Sequence, residues 1–325
     1  MDILDVGRPD WVLLENVDAL EESNHADAMN QLHAMLGSRG YDVKTFLLDC
    51  SDYALPQSRR RLYIFAVARP TRSFDIGSYD QLFETMERLL DAFKMKCVDL
   101  MSVLLPEDDA YVREEQARWT ARGKGKGWES STIDAHRAEW RKISTRWQSV
   151  QARGDDVSSP WYAPLTAAQK DTLAYYQHTL KDSHDRIGYD IGQSIGRLHC
   201  TRIASNNVLV APCIVPKCLM WLSSEANTPH CRADGEAVHR PLLGIEGLML
   251  QGYPIRKEGL LRKLPQDCSD GELMNLAGNA FPGTCVIALL VAFLFAAEGK
   301  DCAKFQRRSA HEEANSALKL LKDAT

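Results

Sequence analysis

Apolar and polar positions fall into short alternating blocks over the first seventy residues. Residues 11–14, Trp-Val-Leu-Leu, are an unbroken apolar run ending in Glu15-Asn16-Val17, which reads as a strand buried on both faces. Ala28, Met29, Leu32, Met35 and Leu36 recur at helical spacing, and Gly37 and Gly40 can end that helix. Residues 43–48 and 62–68 read as two further strands, the second stopped before Pro70. This order predicts part of an open α/β sheet. It puts Glu15 at the carboxyl end of a parallel strand, where such sheets place their ligands.

The pattern then changes. Leu82, Phe83, Met86, Leu89, Leu90, Phe93, Leu100 and Met101 mark one long helix or two broken ones. Residues 113–147 are basic and rich in tryptophan. Thr166 and Gln169 make a capping box for a helix reaching Leu180, and short strands are expected at 208–210 and 219–222. From 239 the chain becomes regular again. Ser269 with Glu272 forms a second capping box, Pro282 suits the first turn of an apolar helix, and Gly299 lies just past its end. The expected divisions are 1–69, 70–238, 239–298 and a charged tail, 299–325, with an amphipathic or frayed helix.

Composition narrows the function classes. The chain has 325 residues, 45% apolar and 26% charged, as a soluble globular protein of one or two domains would. A net charge of -5 gives no global basic footprint, so a nucleic-acid contact must rest on a local patch. The start lacks the basic and apolar segments of a secretory signal. The longest apolar run, 285–297, is too short to span a bilayer, and no membrane partner is expected. Nine cysteines without framework spacing read as reduced intracellular thiols.

Four polar clusters carry the candidate chemistry. The first is Glu15-Asn16-Val17. The second is Pro56-Gln57-Ser58-Arg59-Arg60-Arg61, preceded by Gly40-Tyr41 and by Asp52-Tyr53-Ala54-Leu55. The third runs from Arg240 through Glu246 to Leu250-Gln251-Gly252-Tyr253-Pro254. The fourth is Gly278-Asn279-Ala280-Phe281. In this order they resemble the later half of the cytosine carbon-5 DNA methyltransferase family. The resemblance covers 10–69 and 239–297 by motif and 70–238 only by position. It implies a partial Rossmann-like methyltransferase sheet, with an inserted, mostly helical recognition region at 70–238.

The resemblance also implies roles. Cytosine carbon 5 becomes nucleophilic only after a nucleophile adds at carbon 6, which is easier if an acid meets ring nitrogen 3 and a cation holds the exocyclic oxygen. Glu15 takes the first role, with burial raising its pKa. Arg61 takes the second, and Arg59, on the same strand face, supports the site. Gly278 and Asn279 fall on the cofactor side, where S-adenosylmethionine is implied. The Arg240–Glu246 block reads as structural. Plainer readings stand beside these: Glu15 as a helix cap or an arginine's partner, the arginines as a solvated edge strand, and Gly-Asn as a capping turn.

Departures matter as well. The family's Gly before Leu-Pro-Gln is Ala54 here, and its Ser-Val after Gly-Asn is Ala280-Phe281. The family places its cofactor loop and nucleophilic cysteine ahead of Glu-Asn-Val, so the expectation is a C-terminal portion: truncated, split or degenerate, with a complementing N-terminal half as partner. Pro212-Cys213 stands in the wrong order to replace the nucleophile. Gly123-Lys-Gly-Lys-Gly127 lacks the flanking strand and helix of a phosphate cradle. Cys213, Cys218, His230 and Cys231 match no common zinc spacing, and no metal is expected. Lys124, Lys126, Arg141 and Lys142 are the candidate nucleic-acid contacts, with Trp119, Trp128, Trp140 and Trp147 either stacking on bases or forming a small core. DNA is the expected partner. A non-catalytic DNA-binding module and an RNA cytosine methyltransferase are the alternatives.

Overall fold

The computed structural model describes residues 2–21, 25–123, 130–143, 151–181, 183, 186–193, 199–204, 207–226, 235–254 and 268–299. The chain begins with α1 (Asp2–Gly7), β1 (Trp11–Val17), α2 (Ala26–Ser38), β2 (Tyr41–Asp49), β3 (Arg60–Ala68) and α3 (Tyr79–Ala92). It continues with α4 (Ala110–Ala121), α5 (Ser130–Ile143), α6 (Gly154–Ser158) and α7 (Ala167–Thr179). Then come β4 (Gly188–Asp190), β5 (Arg202–Ile203), β6 (Leu209–Val210), β7 (Met220–Ser224) and β8 (Val238–Pro241). The last elements are α8 (Gly244–Met249), α9 (Asp270–Asn279) and α10 (Gly283–Ala297). Two compact units result. One joins the chain up to Cys97 to the chain from Phe281, and the other is Val98–Ala280. These divisions differ from those read off the sequence, because α3 packs on the first unit's sheet while 239–280 builds into the second.

The first unit is an α/β layer structure. Its sheet has the order β1-β3-β2, and β3 runs antiparallel to both neighbours. The expected parallel neighbour for the Glu15 strand is therefore corrected. β1 and β2 point the same way, joined by the α2 crossover, but β3 returns between them. One sheet face, with Phe46, Leu48, Tyr63, Phe65 and Val67, packs on α3 and α10. The other, with Ile64 and Ala66, packs on Leu36 of α2. The stretch from Leu82 to Met101, expected as one long helix or two broken ones, is α3 followed by a short 3-10 turn, Leu100–Val103.

Burial is uneven across this sheet. β3 is almost wholly buried from Leu62 to Val67. The apolar run of β1 lies at the sheet edge instead, with Trp11 38%, Leu14 37% and Val17 48% exposed. The expectation of burial on both faces fails because β1 has a strand on one side only among the described residues. α10 is apolar all round, yet Ile287 and Leu294 are exposed. The stretch Asp270–Ala297 is long and apolar enough to cross a membrane. It is two helices, however, divided after Asn279, and α10 buries Cys285, Leu289 and Phe293 against the sheet unit.

The second unit holds a large core around Trp161, Tyr176, Tyr189 and Trp221. Both capping boxes expected from the sequence form, at Thr166–Gln169 and Ser269–Glu272. Arg240 is fully buried. It forks onto both carboxylate oxygens of Glu246 at 2.8 and 2.7 Å, reaches Glu107 at 2.7 Å and donates to the Leu105 carbonyl at 3.0 Å. Glu246 in turn accepts from the Leu105 and Leu243 amides. A buried ion pair is tolerated when every lone pair and proton is used this way.

Gly278 is a glycine for a packing reason. A Cβ there would sit 2.2 Å from the Pro216 nitrogen and 2.3 Å from the Val215 carbonyl carbon. Backbone cannot yield as a flexible side chain can, so Gly278→Ala should destabilise the protein by about 2 kcal/mol or more. Thermal or urea unfolding checks this. A variant as stable as the parent would mean that the 215–216 loop moves freely.

Candidate active site

The register of β1 on β3 builds the site. Glu15 lies opposite Tyr63, and Val17 opposite Arg61. Side chains two apart on a strand share a face, so Glu15, Arg61 and Tyr63 all lie on the face that carries α3 and α10. Glu15 Oε1 and Arg61 Nε are 3.1 Å apart, both side chains being largely buried. Arg60 points the other way, to an exposed pair with Asp18 at 2.9 Å. Of the plainer readings, pairing with an arginine is thus part of what Glu15 does.

Burial raises the Glu15 pKa above the ordinary carboxyl value, and the charges of Arg61 and Arg59 pull against that rise. The protonated and charged forms are therefore closer in energy than at an exposed Glu. Arg59 is buried just before β3. Tyr63 was missed in the sequence. Its phenol is held well above its usual range by burial, and an aromatic residue two beyond Arg61 was the available signal. Burial also pushes the Cys285 thiol up to about 12 and Cys50 well above its ordinary value, so neither is a ready thiolate.

The loop that delivers the arginines is tightly held. Cys50 donates through its amide to the Arg59 carbonyl at 3.2 Å and through its thiol to the Gln57 carbonyl at 3.1 Å. The Cys97 thiol donates to the Leu55 carbonyl at 3.0 Å. Ala54 sits at φ 69°, the left-handed region where an L side chain costs roughly 1 kcal/mol.

The remaining candidates lie in the second unit or outside the described residues. Asn279 is exposed at the last position of α9. Cys213 is half-buried after β6, which is shorter than the strand expected there. Arg141 and Lys142 are exposed in the last turn of α5. Trp119 donates to the Trp161 carbonyl at 2.8 Å, and Trp140 is buried against Tyr175, so both pack inward. Arg137 is paired with Asp171, and Arg118 with Glu114 and Glu115. Lys124, Lys126, Trp128, Trp147, His230, Cys231 and the charged tail lie outside the described residues.

Residues 1–289 match the family model described as C-5 cytosine-specific DNA methylase. The chain belongs to that family. The DNA (cytosine-5-)-methyltransferase DMT5 of Cryptococcus neoformans var. grubii is 26% identical over 340 residues, covering 98% of this chain and 13% of that protein. DMT5 of Verticillium dahliae is 23% identical over 310 residues, 89% of this chain and 12% of its own length. The chain thus spans about one eighth of these two relatives. The solved Dnmt2 methyltransferase of S. pombe aligns at 15% identity with a TM-score of 0.41, over 88% of this chain and 67% of that one. Ala54, where the resemblance read from the sequence expects a glycine, takes a glycine-like conformation without being glycine.

Ala54→Gly should therefore raise stability by about 0.5–1 kcal/mol, part of the released strain being offset by a more flexible unfolded chain. The shift in urea midpoint reads it. A loss of stability would mean that the loop does not hold Ala54 at positive φ in solution.

Proposed function

We propose that the chain serves S-adenosylmethionine-dependent methylation of cytosine carbon 5 in DNA, supplying the base-holding half of the active site. The observation that carries this reading is the largely buried Glu15–Arg61 pair on one sheet face. A carboxyl whose pKa burial raises, beside a fixed guanidinium, fits the two needs of an extruded cytosine: a donor at ring nitrogen 3 and a cation at the exocyclic oxygen. The charge of Arg59 adds to that of Arg61 in opposing the rise of the Glu15 pKa. The names of the DMT5 relatives favour DNA over RNA as substrate.

Asn279 fits a polar contact to the cofactor, because its amide is exposed and can both donate and accept. Gly278 fits less directly, since its missing Cβ is already accounted for by the Val215–Pro216 backbone. S-adenosylmethionine, when bound, supplies the electrophilic methyl group. The chain's own residues orient the base, keep water from it and hold the proton at Glu15.

The nucleophile is assigned to a further polypeptide segment carrying the family's nucleophilic cysteine. The apolar edge of β1 supports this: Trp11, Leu14 and Val17 have the composition of a covered strand and the exposure of an open one. Such an edge is suited to another strand.

Labelled methyl transfer to duplex DNA tests the proposal. The chain alone should transfer nothing. Supplied with a separate polypeptide bearing the family's nucleophile and cofactor loops, it should transfer, and Glu15→Gln or Arg61→Ala should slow transfer by about 100-fold or more. Transfer by the chain alone that is lost in Cys213→Ala would contradict this assignment and make Cys213 the nucleophile.

A further inference from the structure

Tyr63 lies on the candidate face with a polar atom that the cytosine chemistry leaves unused. It stands directly opposite Glu15 in the register of β1 on β3. Directly opposed residues on one sheet face hold their Cβ atoms about 4.5–5.5 Å apart. The Tyr63 side chain is fully excluded from water, and its hydroxyl has no hydrogen-bond partner among the described residues. Glu15 Oε1 is in the same condition. It lies 3.1 Å from Arg61 Nε, but among the described residues no donor meets it in hydrogen-bond geometry. A buried phenol and a buried carboxyl oxygen are thus left unmatched on the two members of one cross-strand pair.

A polar atom left unmet in the interior is costly, and the cost is largest for a charge. Protonated Glu15 carries that cost lightly, and its carboxylate does not. Once Glu15 has given its proton to ring nitrogen 3, a full negative charge remains in a place removed from water. Arg61 is by then engaged with the exocyclic oxygen. The phenol is a neutral O–H donor on the same face, and burial keeps its own proton in place. Beyond burial, Cys285, Glu15 and Cys50 are the titratable groups whose charge acts on it. Those acting on Glu15 are Arg61 and Arg59. A thiol accepts weakly, so the Glu15 carboxylate is the strongest acceptor available to the phenol. Hydrogen bonds that serve a reaction are often misaligned before substrate binds and tighten in the complex.

We propose that Tyr63 is the positioning residue for Glu15: its hydroxyl donates to Oε1 as that carboxyl becomes charged, which leaves Oε2 as the oxygen that delivers the proton to the base. This rests on the base-holding reading of Glu15 and adds to it the group that steadies the acid after proton transfer. One proton moves, from Glu15 Oε2 to ring nitrogen 3. The phenol keeps its own and only turns its hydrogen bond toward Oε1.

Tyr63→Phe in the whole chain tests this, because it removes the hydroxyl and keeps the packed ring. Carboxyl-labelled NMR should show Glu15 titrating about half a unit to one unit higher in Tyr63→Phe than in the parent, since a donor to the charged form is lost. Stability should follow the same linkage. Below the Glu15 value the variant should unfold at the parent's temperature, and above it the variant should unfold earlier. With the nucleophile-bearing polypeptide supplied, Tyr63→Phe should lower kcat about threefold to tenfold and leave the KM for duplex unchanged. A Glu15 titration unmoved by Tyr63→Phe overturns the proposal. A stability loss that is the same at every pH also overturns it, and makes the hydroxyl a strut. A shifted titration with unchanged kcat removes the role in proton transfer. If Tyr63→Phe moves Glu15 but the complemented parent transfers no methyl group, the base-holding reading fails while the Tyr63–Glu15 hydrogen bond stands.

Discussion

The antiparallel register of β1 on β3 is the constraint on which the candidate site depends. Because Glu15 faces Tyr63 and Val17 faces Arg61, the carboxylate and guanidinium emerge on one face, two positions apart, with α3 and α10 closing over the same side. A slip of one residue would carry Glu15 to the α2 face and leave Arg61 with no acid beside it. The register is held by burial. Leu62, Ile64 and Ala66 on one face and Tyr63, Phe65 and Val67 on the other are all excluded from water, so a slip would exchange two well-packed sets at once.

The second unit is held differently. Its fixed points are two buried acids, each saturated by donors: Glu246 by Arg240 and two backbone amides, and Asp156 by Trp221, Ser223, Gln177 and His239. A half-satisfied network costs more than an apolar core, and a complete one selects a single arrangement. Short strands such as β5 and β6 add little regular pairing, so this side-chain network does much of the specifying.

The legible parts of the sequence were those governed by local chemistry. The helical spacing before Gly37 and the Thr166 and Ser269 capping boxes appear where the residues place them, and the apolar helix starts at Pro282, which caps it rather than lying in its first turn. The convergence of Glu15 with Arg61 was legible through motif order. Strand direction was not, because an apolar run reads the same in a parallel or an antiparallel sheet. The exposure of β1 was missed for a related reason: composition records what a strand is built to meet, and here one neighbour is absent among the described residues. Tyr63 and the Asp156–His239 pair were invisible because their meaning comes from residues distant in the chain. The basic, tryptophan-rich stretch divides, with Trp119 and Trp140 packing inward and Arg141 and Lys142 facing water.

The central claim is that Glu15 is a carboxyl strained between burial and two arginines, and its titration tests this most directly. NMR of a carboxyl-labelled chain should show Glu15 titrating above an ordinary glutamate, because desolvation outweighs Arg61 and Arg59. Arg61→Met should raise it further by removing the nearer opposing charge. A Glu15 that titrates at or below the ordinary value, or is indifferent to Arg61→Met, would contradict the pairing and with it the base-holding role.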